Sequence, residues 1–273
     1  MRQVVGVLAA AAAACLVASC GAITSKSTAI FMLVDASGTY VKQVPEAITT
    51  AKLVTSRLNS NDMFAFGQIG SCSFSDESLV VRRTLPGTPS RAAYTKQEVF
   101  GELDDYGARV EATAWTDIKG GLRYAADELF QSDQNARVIV IVSDLVEDVS
   151  PDCVTSGLAL DLEGITVVAT NVIKLDAEAS DPDAYYARLR DWQAVVEEAG
   201  GTYEPHPAEA VVNTMIEIGR PSRLKGAGFY EYVDGKRVGL WEGLADTFKS
   251  AHTNNPADVP LQDMIDRMLF AEA

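Results

Sequence analysis

Five oxygen-bearing side chains, in three stretches of this 273-residue chain, could together hold a metal ion. Asp35, Ser37 and Thr39 lie in the run Asp-Ala-Ser-Gly-Thr, directly after an apolar segment. Thr116 lies just ahead of a strongly helical pattern, and Asp144 follows a second apolar segment. Carboxylates and hydroxyls are hard donors that suit Mg²⁺, with Mn²⁺ or Ca²⁺ as alternatives. The sequence therefore predicts a divalent-metal site formed by these residues.

The elements that must position these side chains are indicated by apolar patterns. The continuous apolar runs at 29–34 and 138–142 predict strands buried on both faces of a parallel sheet. Further strands are expected at 63–69, 78–85, 165–170 and near Tyr203, and the first two of these are expected to form an edge hairpin. Helices are expected at 45–58, 95–106, 117–131, 181–199 and 208–218, with a loop at 85–93.

Strands that alternate with helices predict the fold class. The expected structure is α/β, with a doubly wound, mostly parallel central sheet and helices on both faces. In such sheets ligands bind at the carboxyl ends of the strands. The three polar stretches all follow strands or precede a helix at that edge, so we expect them to converge there.

Here the chain resembles the von Willebrand factor A-type domain, and specifically its metal-ion-dependent adhesion site. The family pattern is Asp-x-Ser-x-Ser/Thr after the first strand, a Thr before a later helix and an Asp after the fourth strand. The resemblance spans roughly residues 28–220 and implies a Rossmann-like fold. It implies direct metal ligation by Ser37 and Thr39, direct or water-mediated ligation by Thr116, and water-mediated roles for Asp35 and Asp144. It also implies an open coordination position for an acidic side chain of a protein ligand.

Each position also has a simpler interpretation when taken singly. Ser37 and Thr39 are residue types common in turns and caps, Thr116 could be only a helix N-cap, and Asp144 could be only a loop acid. The joint match in the expected order favours the metal site over these alternatives. Three neighbouring acids are expected to be solvated: Asp117, Glu147 and Asp148.

Two other functions compete with a binding module that is not an enzyme. The run from Asp35 to Thr39 is similar to the Asp-x-Asp-Gly-Thr loop of haloacid-dehalogenase-type phosphatases, which makes a Mg²⁺-dependent hydrolase an alternative. Ser37 stands where that family has its general acid, and a hydroxyl of very high pKa protonates a leaving group poorly at neutral pH. A third possibility is a structural component of an envelope assembly, in which the metal only stabilises the fold.

The first 28 residues predict export. Arg2 precedes an apolar run over 4–17, and the sequence Val-Ala-Ser-Cys ends at Cys20. This segment resembles the lipobox of bacterial lipoproteins, which implies a signal peptide over 1–19, a lipidated Cys20 and a tether over 20–28. An ordinary signal peptide is the alternative. We therefore expect a lipid-anchored protein on a bacterial membrane that faces the periplasm or the cell exterior.

The net charge and the histidine and cysteine content limit which partners and metals the chain is expected to bind. The chain has 23 basic and 38 acidic residues, a formal net charge of -15, which repels nucleic acid and anionic lipid. Membrane contact is therefore expected through the lipid anchor only. Two histidines and no Cys-x-x-Cys pair leave too few ligands for zinc.

Cys72 and Cys153 both lie in loops after predicted strands, and they are expected to form a disulfide, with two buried free thiols as the alternative.

The chain is expected to divide into a main domain over 29–221 and a C-terminal extension over 222–273. The extension has a hairpin signal at Asp234-Gly235 and an amphipathic helical pattern from Leu261 to Leu269. These elements are too small for a core of their own. We expect the extension to pack onto the main domain.

Overall fold

A computed structural model describes residues 27–38, 40–154, 157–178, 182–204, 214–220, 227–233 and 236–248. Several predictions lie outside the described residues: the signal segment, the lipidated Cys20, most of the tether, the metal ligand Thr39, the turn at 234–235 and the terminal helix.

The central sheet has six strands, and its parallel core confirms the predicted fold class. The strands are β1 (Thr28–Asp35), β2 (Met63–Ile69), β3 (Leu79–Thr84), β4 (Ala136–Val142), β5 (Ile165–Thr170) and β6 (Thr202–Glu204). Their order is β3-β2-β1-β4-β5-β6. All neighbours pair in parallel except β2 and β3, which are antiparallel. Only β3 of the expected edge hairpin is an edge strand, because β2 also pairs with β1.

Helices cover both faces of this sheet. They are α1 (Val44–Arg57), α2 (Pro89–Arg109), α3 (Ile118–Phe130) and α4 (Pro182–Glu198), and a 3₁₀ turn at Val41–Gln43 precedes α1. Residues 214–217 are also helical. The expected loop at 85–93 is wrong in its second half, because α2 begins at Pro89. Proline is compatible with a first helical turn, where its missing N–H has no partner to lose.

The strand alternation divides the core into two layers. On β1, Phe31 and Leu33 point to the layer that contains α3 and α4, whereas Met32 and Val34 point to the layer that contains α1 and α2. All four side chains are fully buried. A strand that is apolar on both faces must lie inside the sheet, which is why β1 is central.

The chain changes direction across the sheet at β1. From β1 it passes through α1 to β2 on one side, and it later returns to place β4 on the other side. Such a switch point leaves a crevice at the carboxyl ends of the two strands, because their connections lead away in opposite directions. The crevice here lies between the ends of β1 and β4.

The C-terminal region forms a separate two-stranded sheet of β7 (Tyr230–Val233) and β8 (Lys236–Leu240), followed by the short helix α5 (Leu244–Thr247). Arg220 contacts this region: its Nε donates to the Gly228 carbonyl at 2.9 Å, and its guanidinium lies 4.5 Å from the Trp241 ring centroid. Packing of the extension on the main domain stays a prediction. Among the described residues, no helix is both long and apolar enough to span a membrane.

A buried ion pair holds α4 against the segment after β5. Arg188 donates through Nε and Nη2 to the two carboxylate oxygens of Glu178, at 2.9 and 2.6 Å. Glu178 is only 5% exposed. The hydrogen bonds from Arg188 lower the pKa of Glu178 and outweigh the opposing effect of burial.

The Glu178–Arg188 pair should make stability depend on pH. Because the folded pKa of Glu178 lies below the unfolded value of about 4.3, the pair stabilises the fold above that value. This stabilisation is lost as the pH falls through the lowered folded value. Replacing Glu178 with Gln should cost about 3 kcal/mol at neutral pH and flatten the acid limb of a plot of melting temperature against pH. Glu102→Gln, which breaks the more exposed pair with Arg83, should cost less than about 1 kcal/mol; equal losses would contradict the assignment.

Candidate metal site

Asp35 ends β1 and is fully buried. Its Oδ1 accepts a hydrogen bond from the Ser37 backbone N–H at 2.7 Å, and its Oδ2 accepts one from the Ser143 hydroxyl at 2.7 Å. Among the described residues, no Lys, Arg or His forms an ion pair with it. Asp35 is therefore a buried carboxylate that is held, within the described part of the chain, by two hydrogen bonds and no cationic side chain.

Ser143 was not predicted as a site residue. Val34 pairs with Val142 in the parallel ladder, which sets Asp35 beside Ser143 at the next step. The Ser143 hydroxyl donates to Asp35 and accepts from the Leu145 N–H at 2.9 Å. The only sequence signal was a serine immediately before Asp144, and its meaning depends on the pairing of two strands that are distant in the chain.

Asp144 lies at the end of β4, on the same crevice. Burial raises its pKa, a hydrogen bond from the Val146 N–H at 3.0 Å opposes this shift, and the nearby Asp35 carboxylate raises the pKa further. Leu145 then adopts a positive φ of 61°. A bulky side chain is strained there, and its neighbours hold it: its carbonyl accepts from Trp192 Nε1 at 2.8 Å. The backbone thus turns sharply at Asp144.

The loop after β1 is joined to the segment that leads to Thr116. Ser37 and Thr113 form an isolated parallel bridge, in which Gly38 N–H donates to the Thr113 carbonyl at 3.0 Å. Thr113 N–H donates to the Ala36 carbonyl at 2.8 Å. These backbone contacts bring the segment with Thr116 to the edge where Asp35 and Ser37 lie.

Thr116 is buried and is held on its other side by the loop after β4. Its N–H donates to the Asp148 carbonyl at 2.7 Å, and its carbonyl accepts from the Asp148 N–H at 2.9 Å. The interpretation of Thr116 as only an N-cap is wrong, because Asp117 caps α3 by accepting from Gly120 N–H at 2.9 Å. The capping role falls to Asp117, so the Thr116 hydroxyl is available for another function.

Asp117 is also the exception among the neighbouring acids. It was expected to be solvated but is 1% exposed, since its carboxylate accepts from two backbone N–H groups inside the fold. Glu147 is half-buried and forms an ion pair with Lys119, and Asp148 is exposed. Asp117 differs because the loop after β2 closes over it: Ser73 N–H donates to its Oδ2, and its own N–H donates to the Gly70 carbonyl.

The hydroxyls of Ser37 and Thr116 form no hydrogen bond with any residue in the described part of the chain. Both residues are buried, at the edge that also holds Asp35 and Asp144. A hydroxyl used only in a turn or cap would bond to a nearby backbone group. Two buried carboxylates and two available hydroxyls form a donor set of hard oxygens only, which fits Mg²⁺, Mn²⁺ or Ca²⁺. Thr39 lies outside the described residues.

Tyr40 closes one side of the site and was not predicted either. Its hydroxyl donates to the Asn171 carbonyl at 2.7 Å, across the end of β4. Burial raises the pKa of Tyr40 well above its usual value, and the charges of Asp35 and Asp144 raise it further. Asn171 has a positive φ of 54°, and its buried Nδ2 has no hydrogen-bond partner among the described residues. Tyr40 thus lies neutral beside both carboxylates.

A disulfide joins Cys72, after β2, to Cys153, in the loop after β4, with the sulfur atoms 2.09 Å apart. Asp117 lies beside it, and its Oδ2 is 3.7 Å from Cys153 Sγ. These three side chains resemble a metal cluster by distance alone. Sulfur atoms bonded to each other are not thiolates, so the cluster is not a second metal site.

The hydrogen bond from Ser143 to Asp35 makes a stability prediction. Ser143→Ala leaves an oxygen of a buried carboxylate and the Leu145 N–H without their partner. The loss should be about 2 kcal/mol of unfolding free energy, measured by chemical denaturation. Ser143→Thr, which keeps the hydroxyl, should lose clearly less. Ser132→Ala, which removes a hydroxyl bonded to the Leu129 carbonyl, is a matched control that should cost about 1 kcal/mol; a Ser143→Ala loss no larger than this would contradict the role.

No family model and no curated protein matches the chain. Among solved structures, it is similar to the manganese-loaded TRAP protein of Plasmodium vivax, at 10% identity and a TM-score of 0.39 over 66% of this chain and 69% of that one. It is similar to a von Willebrand factor type A protein from Catenulispora acidiphila, at 13% identity and a TM-score of 0.38 over 60% and 42%.

The chain is also similar to the pilus adhesin SpaC of Lactobacillus rhamnosus, at 19% identity and a TM-score of 0.34. The match covers 45% of this chain but only 15% of the adhesin. The chain thus spans a small part of the adhesin's length. The six-stranded sheet has one antiparallel edge strand, helices on both faces and a switch point between β1 and β4, which is a doubly wound α/β fold.

Proposed function

We propose that this protein is an envelope-anchored, divalent-metal-dependent module that binds a protein ligand. The observation that carries the proposal is the pair of buried carboxylates, Asp35 and Asp144, at the switch point of the sheet. Burial raises the pKa of Asp144 and of Tyr40, and the charge of Asp35 raises both pKa values further.

Two such carboxylates are costly without a compensating cation. An ionised group in the protein interior must be paired, strongly hydrogen-bonded or bound to a metal. Arg188 lies near enough to lower the pKa of Asp144 but forms its ion pair with Glu178 instead. A divalent ion in the crevice would offset both charges at once, which supports a metal site more strongly than the residue types alone.

The residues that would hold the ion are Asp35, Ser37, Thr39, Thr116 and Asp144. Mg²⁺ is the first choice, with Mn²⁺ and Ca²⁺ as alternatives, because hydroxyls and carboxylates are hard donors. When bound, the ion supplies an electrophilic position for a carboxylate from outside. Because neutral hydroxyls and waters would ligate the ion directly and the two carboxylates would act through waters, the ion would stay electrophilic at that position.

The partner would then be a protein that presents an acidic residue. Exchange of a water for a partner carboxylate in the metal shell makes such binding reversible. The net charge of -15 disfavours nucleic acid. Lipidation at Cys20 would hold the module on a bacterial membrane, facing the periplasm or the exterior, and the lipid would be its only membrane contact.

A phosphatase-like reaction is less well supported by the geometry. A nucleophilic aspartate must present a free oxygen to its substrate, whereas Asp35 is fully buried and both of its oxygens accept hydrogen bonds. Ser37 replaces the general acid. A purely structural envelope component would need the metal only in order to fold. Binding and release of the metal by a protein that stays folded would distinguish the binding module from that alternative.

Metal binding should be measurable on the folded protein. Calorimetric titration with Mn²⁺ and with Mg²⁺ should show weak binding to the wild type. Asp35→Asn and Thr116→Ala should each weaken Mn²⁺ binding by at least about 10-fold. Thr49→Ala is the matched control, since it removes a threonine hydroxyl that bonds only to the Pro45 carbonyl on the surface of α1, and its affinity should be unchanged. No heat with either metal on folded wild type would contradict the metal site.

Partner binding should depend on the same metal. The immobilised protein should retain an envelope protein from a detergent extract in Mg²⁺ and release it in chelator. The Thr116→Ala variant should retain none, and Thr49→Ala should retain the wild-type amount. A protein that stays bound in chelator would show that the metal is not the contact.

A further inference from the structure

We propose that the Cys72–Cys153 disulfide is a positioning element of the metal site, and that it acts by holding Thr116 through Asp117. The inference rests on the proposed metal-binding function. Its structural basis is that two loops from different strands meet around Asp117, directly beside Thr116, and the disulfide joins those two loops covalently.

The loop after β2 forms hydrogen bonds with Asp117 on one side. The Gly70 carbonyl accepts from Asp117 N–H at 2.8 Å, and Ser73 N–H donates to Asp117 Oδ2 at 2.9 Å. Ser73 Oγ also accepts from Gly70 N–H at 2.9 Å, which folds the loop onto itself. Cys72 lies between these two contacts in sequence, so a bond to Cys72 restrains the segment that makes both.

The loop after β4 holds Thr116 from the other side. Both backbone bonds between Thr116 and Asp148 come from this loop, which reaches Cys153 five residues later. Residues 143–154 contain no helix or strand, so the isolated bridge is the loop's main backbone tie to Thr116. Cys153 Sγ lies against Asp117 Oδ2.

Thr116 and Asp117 therefore lie between two irregular segments, each of which is tied to the start of α3 by only a few hydrogen bonds. Such segments open locally at little cost. The disulfide closes the two segments into one ring around Asp117, so neither can move away from the start of α3. A ligand at the start of α3 keeps its position only while both sides are closed.

The first test is a double-mutant cycle on Mn²⁺ affinity. Replacing both cysteines with alanine should weaken Mn²⁺ binding about 10-fold, as loss of an outer-shell support does. In the Thr116→Ala background the same pair of replacements should change affinity by less than about 2-fold, because the ligand they position is gone. Additive losses in the two backgrounds would show that the disulfide stabilises the fold generally and would overturn the proposal.

The second test does not require metal. Amide hydrogen exchange of the metal-free protein, followed by NMR, should be at least about 10-fold faster at Ser73, Thr116 and Asp117 without the disulfide. The amides of Asn61 and Leu85 are the controls and should keep their rates, since Asn61 N–H donates to the Leu85 carbonyl and Leu85 N–H donates to the Asp62 carbonyl at the opposite edge of the sheet. Equal acceleration at both places would overturn the proposal.

Two outcomes separate this inference from the proposed function. If the wild type binds no Mn²⁺ but hydrogen exchange near Thr116 is faster without the disulfide, the proposed metal binding is wrong and the positioning of Thr116 by the disulfide is supported. If Mn²⁺ binds but exchange at Thr116 does not change without the disulfide, the positioning role is wrong and the proposed metal binding is supported. Should the double cysteine variant fail to fold, reduction of the wild type with a dithiol gives the same exchange comparison.

Discussion

The carboxylate of Asp35 is buried at the end of the central strand without a cationic side chain among the described residues, and the arrangement of the site follows from this constraint. A charge in the interior must be stabilised by hydrogen bonds or by a counter-charge. Ser37 N–H and the Ser143 hydroxyl supply the hydrogen bonds. Asp144, a second carboxylate nearby, adds to the negative potential, and the resulting crevice favours a divalent cation over any anionic small molecule.

The sheet topology sets where this crevice lies, and backbone contacts set its shape. The switch point between β1 and β4 places two strand ends side by side with their connections leading away. The bridges from Ser37 to Thr113 and from Thr116 to Asp148 then draw the start of α3 to the same edge. None of these contacts uses a candidate ligand's side chain, so the hydroxyls of Ser37 and Thr116 stay available.

The same geometry disfavours one catalytic role, that of Asp35 as a nucleophile. Catalysis by Asp35 would need an exposed oxygen, whereas this carboxylate is enclosed and doubly hydrogen-bonded. An enclosed carboxylate could still bind a metal ion through a water molecule. The exposed side of the ion would then be open to a carboxylate of the partner protein. The strained backbone at Leu145 and the neutral Tyr40 both restrict the surroundings of the carboxylates.

Local patterns in the sequence were sufficient for the fold class and most element positions, because apolar periodicity is a local property. They also indicated that Asp35, Ser37, Thr116 and Asp144 lie at one edge of the sheet, whereas the role of these residues as metal ligands stays a prediction. The start of α2 was misplaced, since a Pro-Gly-rich stretch predicts a loop and only packing extends the helix back to Pro89.

Only the tertiary structure decided which residues surround those four side chains. Ser143 meets Asp35 because of the pairing between β1 and β4, Tyr40 reaches Asn171 across the end of β4, and Asp117 is buried where a loop from β2 closes over it. Each of these contacts joins residues that are far apart in the chain. Their partners depend on strand register and loop closure, which no local pattern encodes.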